Sequence, residues 1–158
     1  MKPDFKTIAK QQLALNVPLG AAMAIVASIC SGTLGITTIP MGLIGMVVAI
    51  ILGSIIPVGK ICGGFCGLFV KNKNPMAYPQ VCISVIPMAI IMTVLIEAVM
   101  TYIGVCLLGG QPFNPVFIIA YKSAFIPLLI TAYISACIFL PWSFKVSGMA
   151  KFMGGPQK

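Results

Sequence analysis

The sequence predicts an all-α integral membrane protein whose four transmembrane helices form two tandem helical hairpins, a parallel repeat with both termini cytoplasmic. Three observations lead to this fold class: the composition, the length of the apolar segments and the placement of the lysines. Of 158 residues, 59% are hydrophobic and 8% are charged, and the mean hydropathy is +1.10. Soluble domains are about half apolar and about a quarter charged. So few charged side chains cannot cover a water-soluble domain.

Four continuous apolar segments are long enough to cross a bilayer as helices. About 20 helical residues span the roughly 30 Å of hydrocarbon. The strands of a membrane barrel would instead alternate apolar and polar residues. The predicted spans are residues 13–36, 41–57, 81–108 and 116–141.

The lysines orient these spans. All ten basic residues are lysines, and nine of them precede the first span, separate the second from the third, or follow the fourth. The two remaining connections, SGTLGITTIP and LGGQPFNP, carry no charge. The positive-inside rule therefore places both termini and the middle loop in the cytoplasm. Lysines near anionic headgroups and an interfacial tryptophan make up the predicted membrane interface: Lys60, Lys71, Lys73, Trp142, Lys145 and Lys151.

The net charge of +8 is interpreted as a membrane signal, because no aromatic-basic module for nucleic acid is present. The expected partners are a bilayer with an anionic inner leaflet and either further copies of this chain or a larger membrane complex. The expected location is the cytoplasmic membrane of a bacterium. No cofactor and no metal are expected, since the chain lacks histidine and only Cys62 and Cys66 are closely spaced.

The two halves of the chain match weakly. Met23-Ala24-Ile25 aligns with Met88-Ala89-Ile90, and the second and fourth spans both end at a proline with a lysine soon after, in IIPVGKI and FLPWSFKV. Each half crosses the membrane twice, which predicts a parallel repeat. The predicted units are residues 1–74 and 75–158.

This hairpin unit, with its MAIIMTV-like first helix and its exit of a proline followed by a lysine, resembles an uncharacterised bacterial family of two-helix membrane domains, here duplicated. The resemblance runs from about residue 15 to about residue 151. It implies a duplication and a bacterial membrane, and it implies no activity and no site residues.

Small residues at four-residue spacing predict closely packed helices, because they let two backbones approach. The predicted packing residues are Gly20, Ala24, Ser28 and Gly32 in the first span and Gly45, Ala49 and Gly53 in the second. The repeat offset places Ala89, Thr93 and Glu97 on the matching stripe of the third span, so that Glu97 is expected to face protein.

Glu97 is one of only two acidic residues and lies within MTVLIEAVMTYIG. An ionisable residue at this depth indicates a functional site or a structural pair. Lys122, in FIIAYKSAF, is the only lysine well inside a span and is the expected partner. The candidate substrate- or ion-binding residues are Glu97, Lys122, Thr93, Thr101, Tyr102 and Tyr121.

Three interpretations of this pair are open: a structural clip, a proton- or cation-exchanging site, and a contact between subunits. They support two main hypotheses, a transporter or permease component coupled through an intramembrane carboxylate, and an accessory or assembly subunit of a larger complex. An enzyme is not expected, because the chain has no histidine, no arginine and no acidic cluster. The sequence favours transport, since anchoring alone leaves Glu97 and Lys122 unexplained.

Overall fold

A computed structural model gives the fold, and it describes residues 4–30, 35, 38–56, 58–69, 78–108, 110–111, 113 and 115–149. Some of the predicted packing and interface residues lie outside this part of the chain: Gly32, Lys71, Lys73, Lys151 and the side chain of Lys60.

The described chain is helical, as predicted. Four of its helices are long and apolar enough to span a membrane, which confirms the predicted class of a four-span, all-α protein. In chain order the elements are α1 (Phe5–Cys30), α2 (Thr38–Ile55), α3 (Val58–Phe69), α4 (Tyr78–Thr101), a π-helical segment (Tyr102–Leu108) that continues α4, and α5 (Val116–Ser147).

Helices α1 and α5 extend furthest beyond their predicted spans. Helix α1 begins at Phe5 rather than at residue 13, because the polar stretch FKTIAKQQ has helix-forming side chains that need no hydrocarbon around them. Helix α5 continues past Pro141 to Ser147. It ends at Gly148, whose φ of 75° is left-handed and whose N–H donates to the Lys145 carbonyl. Apolar run length defines the membrane-spanning part of a helix and not its ends.

The core lies where α1, α4 and α5 meet. Helix α1 packs against α2 and α5, and α4 packs against α5, α3 and α2. The opposite face of α5 exposes a row of isoleucines, as a lipid-facing surface does. The buried core residues are Leu15, Leu19, Met23, Ala49, Val81, Val85, Met88, Ala89, Met92, Ile96, Leu128, Ala132 and Ala136.

Glycines bring α1 and α2 into close contact. A Cβ atom at Gly20 would lie 3.0 Å from the Met46 Cα atom. A Cβ atom at Gly53 would lie 2.9 Å from the Asn16 amide nitrogen. Because a methyl group does not fit at either position without moving a neighbour, the small residues set the separation of the two helices.

Gly20→Val is expected to destabilise the protein by about 2 kcal/mol, because the added side chain meets the backbone of α2 and overpacks the contact. Unfolding in mixed micelles at increasing SDS fraction, followed by circular dichroism, measures the change. Gly67→Ala on α3 is the matched control, since nothing lies within 4 Å of a Cβ atom there. Equal stability of the two variants would contradict the close contact.

Candidate functional site

A cavity of about 530 Å³ opens between α1, α2, α4 and α5. It lies at the end of the bundle where α1 ends and α2 begins, because Cys30 and Met41 both line it. The π-helical segment contributes Gly104 and Val105 to its wall. The remaining lining residues are Gly20, Met23, Ala24, Ala27, Ser28, Gly45, Ile96, Glu97, Met100, Thr101, Ala120, Ser123, Ala124 and Leu128.

Glu97 lines this cavity and is buried, with 2% of its surface exposed. Neither of its carboxylate oxygens has a hydrogen-bond partner among the described residues. Buried polar groups in folded proteins are nearly always hydrogen-bonded, and buried charges are nearly always paired. Glu97 therefore holds a buried carboxylate beside the cavity, and the helices around it leave the bonding capacity of both oxygens unused.

The other cavity walls are mostly apolar. Alanines and glycines leave the open volume, and the flexible side chains of Met23, Met41 and Met100 border it. The described lining residues include few polar side chains: besides Glu97, these are the hydroxyls of Ser28, Thr101 and Ser123 and the thiol of Cys30. The site is an apolar chamber with a single carboxylate, which can bind a proton or a cationic group.

Lys122 does not reach Glu97. Its side chain is exposed, it does not line the cavity, and it makes no hydrogen bond to the unpartnered Glu97 oxygens. The reason is the rotation of α5, since each residue turns the helix by about 100°. Ala120 and Ser123 face the cavity, so Lys122 points away from it. The expected ion pair between the two residues is not present.

The other predicted site residues are divided between the cavity and its surroundings. Thr101 lines the cavity. Thr93, one turn before Glu97, is fully buried, and its hydroxyl has no hydrogen-bond partner among the described residues. Tyr121 donates a 3.5 Å hydrogen bond to the Val94 carbonyl. Tyr102 is 44% exposed and packs edge-on against Phe113.

Tyr102 and Tyr121 belong to a column of aromatic rings rather than to the cavity wall. The rings follow one another at centroid distances from 4.7 to 6.2 Å. The column contains Tyr102, Phe113, Phe117, Tyr121 and Phe125. These rings connect the π-helical segment to the first turns of α5 beside the cavity.

Sequence reasoning missed the π-helical segment. It follows Thr101 directly and places Gly104 and Val105 in the wall. Segments of π-helix are rare and occur often at functional sites, because the wider turn displaces side chains from α-helical positions. No pattern in YIGVCLL distinguishes a π-helix from an α-helix in the sequence. In the structure, a Cβ atom on Gly104 would lie 3.3 Å from the Met41 methyl group.

A second polar cluster that the sequence analysis missed lies closer to the start of α1. Asn16 is buried and donates a 2.9 Å hydrogen bond to the Gln12 side chain. Both side chains pack against Gly53 of α2. The hydrogen bond between the two amide groups lies within α1, and the contact with Gly53 packs both side chains against α2. The Gln12 oxygen accepts a hydrogen bond, whereas the Glu97 oxygens accept none among the described residues.

The thiol of Cys62 on α3 is not activated. Burial of the Cys62 thiol raises its pKa to about 11, and the nearby Cys66 makes a smaller contribution in the same direction. Cys66 itself is buried. The thiolate is the reactive form of cysteine. Cys62 is therefore almost entirely protonated at neutral pH, which argues against nucleophilic chemistry at its thiol.

No protein family model matches this sequence, and neither the curated proteins nor the solved structures contain a significant match. The resemblance to the two-helix membrane domains stays a prediction.

Cys62 is expected to react with iodoacetamide about tenfold more slowly at pH 8 than in the same chain unfolded, because its raised pKa leaves little thiolate. The rate is expected to rise with pH up to about 11. Mass spectrometry of the alkylated protein in detergent measures it, with the unfolded chain as internal control. A rate that levels off near pH 8.5 in the folded protein would contradict the raised pKa.

Proposed function

We propose that the protein is a small transporter or permease component in which Glu97 exchanges a proton for a cation inside the membrane. One observation carries the proposal: a buried carboxylate whose two oxygens lack partners among the described residues lines a cavity of about 530 Å³. A carboxylate that served only to join helices would be expected to bond to one of them.

The energetics of a buried charge supply the coupling. An ionised carboxylate without a donor costs several kcal/mol in apolar surroundings. Either a proton on the carboxylate or a cation beside it removes most of that cost. Because both use the same oxygens of Glu97, they compete. Binding of the cation releases the proton, and binding of the proton releases the cation.

The proposed topology places the cavity toward the outside. Two tandem hairpins, α1 with α2 and α4 with α5, cross a bacterial cytoplasmic membrane as a parallel repeat with both termini inside. Contacts within each hairpin and the lysine in the last turn of α5 support this arrangement. The cavity lies near the uncharged connection between α1 and α2. We propose a homo-oligomer as the working form, because four helices leave little room for a pathway across the whole membrane in addition to the cavity.

One observation favours the alternative, an accessory or assembly subunit. Lys122 is exposed on an apolar helix, where an unpaired ammonium group is costly unless its long side chain reaches the interface. A carboxylate on a partner subunit would stabilise Lys122. In that case gentle detergent extraction recovers the protein with a fixed partner, and Lys122→Leu releases that partner.

Labelling of single cysteines tests the topology. In a cysteine-free chain, Gly35→Cys is expected to react with a membrane-impermeant maleimide on intact cells, and Asp4→Cys only after permeabilisation. Both positions are exposed, so access depends on the side of the membrane. The reverse pattern would invert the topology and turn the cavity toward the cytoplasm.

Glu97→Gln is expected to reduce proton-coupled cation flux by at least about tenfold, because the amide keeps the size of the side chain and cannot exchange a proton. Purified protein is reconstituted in vesicles containing a pH-sensitive dye. Proton movement is then recorded after external addition of sodium, potassium or tetraphenylphosphonium ions.

Asp4→Asn is the matched control for that experiment. It removes the only other carboxylate side chain of the chain, at an exposed position before α1. Flux in this variant is expected to equal that of the unmodified protein. Undiminished flux in Glu97→Gln, or no flux with any of the three cations, would overturn the proposed function.

A further inference from the structure

We propose that the cation bound at Glu97 is a hydrophobic organic cation, meaning an ammonium or phosphonium group attached to a bulky apolar body. This inference rests on the proposed function and assigns the substrate class of the same cavity. Its grounds are the ligand chemistry of the lining, the volume of the cavity and the flexible methionine side chains that border it.

The lining offers too few oxygens for an inorganic cation. A small metal ion that loses its water needs about six oxygen ligands. Among the described lining residues, Glu97 supplies the only carboxylate, and the hydroxyls of Ser28, Thr101 and Ser123 are the other side-chain oxygens. These groups come from three different helices around an otherwise apolar space. An organic cation spreads its charge over carbon atoms and needs one counter-charge rather than a coordination shell.

The volume and surface of the cavity match an apolar body. Ligand pockets for organic molecules hold about 300 to 1,000 Å³ and have mostly apolar walls with a few polar groups. This cavity holds about 530 Å³, and alanine, glycine, isoleucine, leucine, valine and methionine make up most of its wall. A proton alone would need no such volume. The walls therefore provide affinity for carbon and hydrogen, and Glu97 selects for positive charge.

Methionines give the walls an adjustable shape. The Met41 methyl group lies 3.3 Å from the position of a Cβ atom on Gly104, and the Met100 methyl group lies 3.6 Å from that position on Gly45. Both contacts involve the flexible end of an unbranched side chain, which can rotate as ligands of different outline enter. The cavity is expected to accept several organic cations of similar size rather than a single one.

Proton competition at Glu97 gives binding a defined pH dependence. The other titratable side chains beside the cavity are the Cys30 thiol on α1 and the Tyr121 hydroxyl on α5, which is in electrostatic range of Glu97. Neither the lining residues of α2 nor those of the π-helical segment are titratable. Because a proton neutralises the counter-charge, cation binding strengthens as the pH rises.

Binding of tetraphenylphosphonium to the full-length protein in lipid nanodiscs, measured by isothermal titration calorimetry, tests the inference. Glu97→Gln is expected to weaken binding at least tenfold and to abolish its pH dependence. Glu97→Asp, which keeps the carboxylate, is expected to retain pH-dependent binding. Tetraphenylborate has the same shape and the opposite charge, and it is expected not to bind at this site.

A second pair of variants tests the location through volume instead of charge. Ala120→Phe places a ring in the cavity and is expected to weaken tetraphenylphosphonium binding about tenfold. Ile119→Phe adds a ring at the adjacent position, which is 67% exposed and outside the lining, and it is expected to leave binding unchanged. Equal binding in these two variants would overturn the assignment of the cavity as the binding site, even if a Glu97 variant failed to fold.

The outcomes separate the substrate class from the function. Binding of tetraphenylphosphonium that is unchanged in folded Glu97→Gln overturns the inference. Proton-coupled flux in vesicles with sodium or potassium but not with tetraphenylphosphonium also overturns the inference. That result leaves the proposed function standing. Absence of proton-coupled flux with every cation overturns the proposed function itself.

Discussion

Glu97 can lie on a membrane-spanning helix only because protein, and not lipid, surrounds it. A charged side chain in hydrocarbon costs several kcal/mol, and lipid offers no group that reduces this cost. Helices α1, α2 and α5 therefore have to meet around α4 at the level of Glu97. They do so around an open cavity, so that the carboxylate is shielded from lipid without being bonded to a helix. The helices bury the acid, and both of its oxygens lack a hydrogen-bond partner among the described residues.

The small-residue stripe of α1 serves both packing and cavity formation. Gly20 lies against the backbone of α2, and on the same helix face Ala24 and Ser28 border the cavity. One row of small side chains thus brings the helices together at one level and leaves space between them at the next. The π-helical segment contributes to the same end of the bundle, since its wider turn places Gly104 and Val105 in the wall. Close packing and open volume follow from the same choice of residues.

The sequence pointed to Glu97 as a carboxylate within an apolar segment, and to Lys122 as its partner because Lys122 is the only lysine well inside a span. A carboxylate in an apolar run stands out in any composition analysis, and the stripe offset indicated that it faces protein. The choice of partner needed the rotation of α5, which a near-uniformly apolar sequence does not encode. The methionines and alanines of the cavity wall were likewise invisible, because apolar residues that line a cavity look the same as those that fill a core.

By itself the sequence determined an all-α chain with four helices long and apolar enough to span a membrane. Helix length and hydropathy can be read from each segment separately, and the thickness of the hydrocarbon sets the length that a span needs. The sequence also showed that Glu97 is an ionisable residue within an apolar segment. Only the tertiary structure decided that Lys122 points away, that the carboxylate has no partner among the described residues, and that a cavity opens beside it. These features depend on how helices rotate and approach one another. Packing between helix surfaces sets the rotation and the separation of the helices, and the sequence of a single helix does not specify either.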